Sequence, residues 1–380
     1  MSSSNKTVRS KPVVKKLQVD DRQKFQPLPK PTGQYPFRFK PEELQDVAVG
    51  GKMVFHMVGD TGSVRQPEFQ RIVAREMIKQ YQQATSSQDR PLFLYHLGDV
   101  VYNFGEAEQY YRQFFEPYKD YPGPVFAIPG NHDSDVNPDS LHPYRSLDAF
   151  TQVFCDTRSR EITLAGDTGR KSITQPNLYW TLQTPLADFI GLYGNVPKYG
   201  VITDEQKDWF ISELKAAATE RAEKAIIVCL HHAPYSADIN HGASIAMIQF
   251  LEAAYKEAGV KPDIVFSGHV HSYQRFSKQY DDGRKIPYIV AGAGGFADLH
   301  AVAAVDDPAF LDDSNLFDNV VLDNYCDDKH GFLKIAIEKT STGLLISGEY
   351  YAMPHTMDTG ASSAASFFDQ FTVNLPRLRE

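Results

Sequence analysis

Cysteine is scarce in this chain. Three stand among 380 residues, Cys155, Cys229 and Cys326. Their odd number and wide spacing, with Cys229 inside an apolar run, exclude a disulfide framework and favour a reducing compartment. Long apolar runs are also missing. No stretch approaches the length of a membrane span, and the basic N-terminus lacks the apolar segment of a secretory signal. These absences predict a soluble cytoplasmic protein, with export by a non-standard route as the alternative. Positive charge is short outside the first 40 residues. Those residues hold ten Lys/Arg and two Asp, a local +8, so a chain of net −9 leaves −17 for the body. Phosphate neutralisation needs Lys and Arg, so the acidic body predicts no nucleic-acid partner. There is no Walker loop, no His-Glu-x-x-His and no Gly-x-Ser-x-Gly. Gly292-x-Gly294-x-x-Ala297 fits a relaxed dinucleotide fingerprint, but it comes late and without a first βαβ unit around it. No internal repeat is visible.

What is present begins with bulk. At 42% hydrophobic residues the chain can bury a large core. Residues 1–45 are rich in Lys, Pro and Gln without a sustained period, which predicts a mobile or surface-draped arm. From residue 52 the pattern alternates. Strands are predicted at 52–58, 91–97, 125–128, 178–182, 187–193, 225–230, 263–267, 287–291, 332–337 and 344–350. Helices are predicted at 67–83, 106–115, 147–154, from the Thr203 cap to about 218, and at 243–258. Strands with helical crossovers imply an α/β layered fold, with antiparallel pairs towards the end. The expected organisation is an arm at 1–45, one catalytic domain at 46–355 and a C-terminal tail at 356–380. Residues 134–177 and 281–328 read as insertions. The second holds eleven Asp and reads as a solvated acidic loop, with a lid or a dock for the basic arm as alternatives.

Five short segments carry the chemistry: Gly59-Asp60-Thr61-Gly62, Gly98-Asp99-Val100-Val101-Tyr102, Gly130-Asn131-His132-Asp133, Val228-Cys229-Leu230-His231 and Gly268-His269-Val270-His271. Each sets an oxygen or nitrogen ligand just after a predicted strand, at the carboxyl end where open α/β sheets bind ligands. Hard oxygens mixed with imidazoles suit Fe, Zn or Mn better than Mg alone.

These five blocks resemble the calcineurin-like metallophosphoesterases and, within them, most closely the purple acid phosphatases. Further resemblance lies in residues 189–196 (FIGLYGNV), 206–210 (QKDWF) and 291–295 (AGAGG). Most of the superfamily opens with Asp-x-His. Here the segment is Asp60-Thr61-Gly62, and Tyr102 stands three residues after Asp99. The purple acid phosphatases make that exchange, with a tyrosinate in place of the imidazole. The resemblance implies a metallophosphoesterase-type layered β-sandwich flanked by helices, with a dinuclear site at the strand ends. It implies Fe(III) held by Asp60, Asp99, Tyr102 and His271, and Fe(II), Zn or Mn held by Asp99, Asn131, His231 and His269, with Asp99 bridging. It further implies His132 as a phosphate-contacting general acid, and His241 as a second acid or phosphate-binding histidine. His56 and His96 read as packing residues.

The expected reaction is hydrolysis of a small-molecule phosphate monoester by in-line attack of metal-bound hydroxide. A phosphodiesterase on the same scaffold is the alternative, acting on cyclic nucleotides or glycerophosphodiesters. A metal-free binding scaffold comes third, since such scaffolds lose ligands and this chain has a residue at each ligand position.

Overall fold

The strands that carry the motifs form because their residues are apolar on both faces, as strands buried between layers must be. In the computed structural model, which describes residues 7–45, 51–312, 314–356 and 364–376, β1 (Lys52–Val58) is buried from Met53 onward. It pairs in parallel with β2 (Leu94–His96), and β2 pairs with β3 (Val125–Ala127). Helix α1 (Glu68–Gln83) makes the crossover from β1 to β2. The outer edge of β3 is closed by a side chain: Gln175 accepts from the Ala127 amide and donates to its carbonyl, both at 2.8 Å. That amide comes from the 134–177 insertion, whose helix α2 is Asp148–Phe154.

The chain then builds a second sheet. Strands β4 (Trp180–Gln183) and β5 (Ala187–Gly191) form a hairpin. Parallel to β5 come β6 (Ala225–Leu230) and β7 (Ile264–Ser267). Their crossovers are α3 (Asp204–Ala218) and α4 (Ile245–Ala258). The Thr203 side chain caps α3 by accepting from the Gln206 amide, and Ser244 caps α4 by accepting from Met247. Next follow β8 (Tyr273–Gln279), β9 (Lys285–Ala291) and β10 (Val320–Cys326). The sheet order is β10-β8-β9-β7-β6-β5-β4, ending on the two-residue strand Arg38–Phe39. The chain returns to the first sheet through β11 (Lys329–Thr340), β12 (Gly343–Pro354) and β13 (Ser366–Pro376), giving the order β13-β12-β11-β1-β2-β3.

The core lies between the two sheets and is aromatic. Phe55 stacks on Phe93 at 5.0 Å and meets Phe189 of the facing sheet edge-on at 5.1 Å, while Tyr95 stacks on Phe189 at 5.7 Å. The result is a layered sandwich with helices outside, the architecture expected from the sequence.

Of the two forms expected for the arm, mobile or surface-draped, its described residues take the second and are seated on the body; two other expectations are corrected. Val14–Lys15 pairs with Phe310–Leu311, Val8 bridges to Ala304, and Arg9 bonds the carbonyls of Ala304 and Asp307 and the carboxylate of Asp312. The acidic insertion is therefore the dock of the arm, and it contains β9 and β10. The expected tail contains β13, paired along β12. Residues 1–6, 46–50, 357–363 and 377–380, and Asp313 of the insertion, lie outside the described residues.

No helix of the described residues is long and apolar enough to cross a membrane. The three cysteines are buried and unpaired.

Candidate metal centre

The carboxyl ends of β1, β2 and β3 from one sheet and of β6 and β7 from the other meet at one place. Close approach of these loops needs glycine. A Cβ on Gly98, whose φ is +94°, would stand 2.6 Å from the Gly130 amide nitrogen and 2.8 Å from Nδ1 of His231. Three of the candidate ligands themselves carry left-handed backbone: Asp60 (φ 58°), Asp99 (φ 55°) and His269 (φ 68°). For non-glycine residues this conformation costs about 1–3 kcal/mol each and persists only where the surroundings enforce it.

All seven sequence-predicted ligands converge here, and their donor atoms fall into two groups. In the first, the Tyr102 hydroxyl lies 3.2 Å from Asp60 Oδ1 and 3.2 Å from His271 Nε2, and His271 Nε2 is 3.6 Å from Asp60 Oδ1. In the second, His231 Nε2 lies 3.1 Å from Asn131 Oδ1, 3.3 Å from His269 Nδ1 and 3.4 Å from Asp99 Oδ2. Ligand atoms of Asp99, Asp60 and His231 all lie within 4.8 Å of one another, so the Asp99 carboxylate stands between the two groups. Donors bound at 2.0–2.2 Å to a shared ion stand about 3.0–3.5 Å apart, the spacing seen within each group.

The imidazoles are aimed by their other nitrogens. His231 Nδ1 faces the Leu97 carbonyl at 2.9 Å, His269 Nε2 the Lys198 carbonyl at 3.0 Å, and His271 Nδ1 the Asp298 carbonyl at 2.9 Å. A carbonyl demands an N–H there, which leaves the lone pair of the other nitrogen directed inward, as metal-binding histidines require. The donor set therefore fits two cations.

Without them the charges are strained. Burial and the neighbouring Asp99 push the Asp60 carboxyl well above its usual range, although His231 pulls it down. Burial opposes charge on His231, but Asp99 and Asp60 hold it up to about 9. Burial, then Asp99 and Asp60, raise the Tyr102 phenol well above its usual value. Burial pushes His271 and His269 well below the usual imidazole value.

The two expected catalytic histidines flank this centre. His132 donates its backbone amide to Asp99 Oδ1 at 2.9 Å, and its Nδ1 meets the Asn103 carbonyl at 2.6 Å. Its Nε2 is left for a ligand. The His241 ring packs 4.1 Å from His269, and its Nδ1 is buried without a partner. A nitrogen of this kind at the pocket wall is free to bond water or a ligand. Burial lowers His241 to about 3. His56 and His96 are satisfied core residues, bonded to Tyr121 and Gln80 and to Thr61 respectively.

Several residues that shape the site were not singled out in the sequence. Gln113 clamps the Tyr102 peptide, accepting from its amide at 2.9 Å and donating to its carbonyl at 2.6 Å. It sits in a π-helical turn, Tyr111–Phe115, a feature frequent at functional sites. The buried Asp133 carboxylate gathers the amides of Val100, Val101 and Gly130 and so ties the second and third motif loops together. Asp238 accepts from Ser236, Asn240, His241 and Gly242 and faces His300 at 3.4 Å. Those four donors occupy its lone pairs, so it shapes the His241 loop rather than holding an ion with His241 and His300. Only Asp133 carried a sequence signal, its place beside a motif histidine.

Comparison with known proteins agrees with this geometry. The model of the calcineurin-like phosphoesterase family matches residues 53–273, which include all five motif segments. Purple acid phosphatase 1 of Ipomoea batatas is 28% identical over 234 residues, covering 58% of this chain and 42% of that protein. Purple acid phosphatase 15 of Arabidopsis thaliana is 24% identical over 210 residues, covering 53% and 35%. The chain thus spans less than half the length of these relatives. Among solved structures, GAP50, the anchor in the inner membrane complex of Plasmodium, shares the fold with a TM-score of 0.51 at 15% identity, over 87% of this chain and 90% of that one.

Proposed function

Because this chain belongs to the calcineurin-like phosphoesterase family, we propose that it is a two-metal hydrolase of phosphate monoesters, of the purple acid phosphatase kind. The observation that carries the reading is the division of donor atoms into two groups with Asp99 between them and Tyr102 in the first. Two ions held there would neutralise the phosphate and supply an activated water. The phenolate of Tyr102 is the donor that favours Fe(III) in the first position; Asn131 with His231 and His269 suits Fe(II), Zn or Mn in the second.

The chain's own residues supply the rest. Asp133 and the motif glycines hold the loops, and His132 lines the pocket with its Nδ1 on the Asn103 carbonyl. Its Nε2 is suited to give a proton to the leaving oxygen. His241, with its partnerless Nδ1 and lowered proton affinity, is suited to binding and orienting a phosphate oxygen, which narrows the two roles expected for it to one. The buried, unpaired cysteines support a reducing compartment.

The deciding experiment measures initial rates on a phosphate monoester and its matching diester from pH 4 to 9, with the metals present at purification. Monoester preference with an acidic optimum is expected. Diester preference near neutral pH would move the activity to a phosphodiesterase and demote Tyr102. Metal content near zero after gentle purification would leave only a binding scaffold.

A further inference from the structure

The pocket over the metal centre has a wall from outside the region shared with the family. Its volume is about 310 Å³, and Asp21 and Lys24 line it together with His132, Lys198, His241 and His300. A cavity of this size holds a small molecule rather than a macromolecular surface. Residues 21 and 24 belong to the N-terminal arm, which precedes the family match at residue 53.

The wall is fixed. The Val13 amide donates to the Ser236 carbonyl at 2.8 Å and its carbonyl accepts from the Ala243 amide at 2.7 Å, so the arm grips both sides of the His241 loop. Further along, Gln26 and Asn195 exchange two hydrogen bonds through backbone and side chain, at 2.8 and 2.9 Å. The Asp21 carboxylate accepts from the Lys198 amide at 3.1 Å. The carbonyl of Lys198 is the one that orients His269. Arm, lysine and candidate ligand are thus consecutive parts of one arrangement.

The wall brings two cations, Lys24 and Lys198, to the pocket of an acidic body, with Asp21 and Asp135 beside them. Lys24 is 53% exposed, and the nearest carboxylate oxygen to its Nζ, on Asp21, is 3.9 Å away, beyond hydrogen-bond distance. Lys198 Nζ donates to the Asn240 carbonyl beside His241. Lys24 and Lys198 thus line one pocket in a body of charge −17. Of the three pocket carboxylates, Asp99 belongs to the metal centre, Asp21 accepts from the Lys198 amide and Asp135 from the Val136 amide.

We propose that Lys24 and Lys198 form a second anion subsite, which selects monoesters whose leaving group carries another phosphate. This rests on the phosphatase reading and specifies its substrate class. Lysine ammonium groups act as point charges for phosphate and need no fixed fork geometry. The arm is therefore part of the specificity pocket of this chain.

The test compares kcat and KM for phenyl phosphate and fructose 1,6-bisphosphate, with wild type and Lys24→Gln, Lys24→Glu and Lys198→Gln. The side chain of Lys24 is exposed, so its variants leave the core untouched. Wild type is expected to favour the bisphosphate. Lys24→Gln should raise KM for the bisphosphate roughly two- to fivefold more than for phenyl phosphate with kcat retained, the scale of one exposed charge pair. Lys24→Glu should widen that loss, and added salt should shrink the wild-type preference. An unchanged ratio of kcat/KM between the two esters in both Lys24 variants would overturn the subsite while leaving the phosphatase intact. Release of phosphate from neither ester by metal-loaded wild type would overturn the phosphatase reading, and the subsite with it.

Discussion

Single residues divide the chemistry between metal holding and proton transfer, and substitutions should separate the two. His132 bonds Asp99 through its backbone only, so His132→Ala should keep both metals and lower kcat roughly 10²–10⁴-fold, the usual worth of a positioned acid. Unchanged turnover in the variant would remove its role. Tyr102→Phe deletes the oxygen that joins Asp60 and His271, so iron-loaded protein should lose its visible absorption band; a retained band would remove Tyr102 from the ligand set. At this scale the sequence was most legible. Four of the seven candidate ligands, Asp60, Asp99, Asn131 and His269, directly follow a glycine, and every motif follows an apolar strand, a local pattern that can be read along the chain. Gln113 acts on the Tyr102 peptide, Asp238 on the backbone of its own loop and on His300, and Lys198 through its backbone on the distant Asp21 and His269, and no pattern of apolar residues and glycines records such contacts.

Secondary elements tell a different story, because polarity hides some of them. β8 was missed: Gln274 and Arg275 interrupt its apolar pattern. Both are accommodated by specific bonds, Gln274 to Ser272 and to the Ala237 amide, and Arg275 to Asp369 of β13. The strand β13 was read as tail, since its residues alternate between buried and exposed at a sheet edge. The helices and the buried parallel strands were found within a few residues, their periods being set by burial alone. Asp369 therefore holds β13 against the other sheet, accepting from Tyr273 and Arg275, each at 2.8 Å. Its carboxyl lies below the usual range: burial opposes this, and Arg275 outweighs it. Asp369→Ala should destabilise the fold by about 1–3 kcal/mol, the range for lost bonds to charged groups, read as a lower urea midpoint with little change in slope. An unmoved midpoint would show that β13 is held by its pairing to β12 alone.

For the molecule as a whole, metal binding and stability are linked through protons. In the metal-free fold His231 is held up to about 9, against an ordinary 6.5, by Asp99 and Asp60 in spite of burial. A raised imidazole stabilises the metal-free fold fully below about pH 6.5, and that contribution is lost as pH rises through about 9. Metal displaces this proton, so uptake should release protons below pH 9, and the gain in Tm on metal loading should grow from pH 6 to pH 9. A gain that is flat over this range would contradict the linkage. The arm adds a consequence in time. It is made before the body, yet Arg9 bonds to Ala304, 295 residues later. Closing so long a loop is slow and entropically unfavourable. A ribosome-bound chain halted before residue 304 carries all five metal motifs and the loops at 195–198 and 236–243 that seat the pocket wall, while Arg9 and Val14–Lys15 have no partner yet, so the outer anchor of the arm is completed only after the metal-binding segments exist.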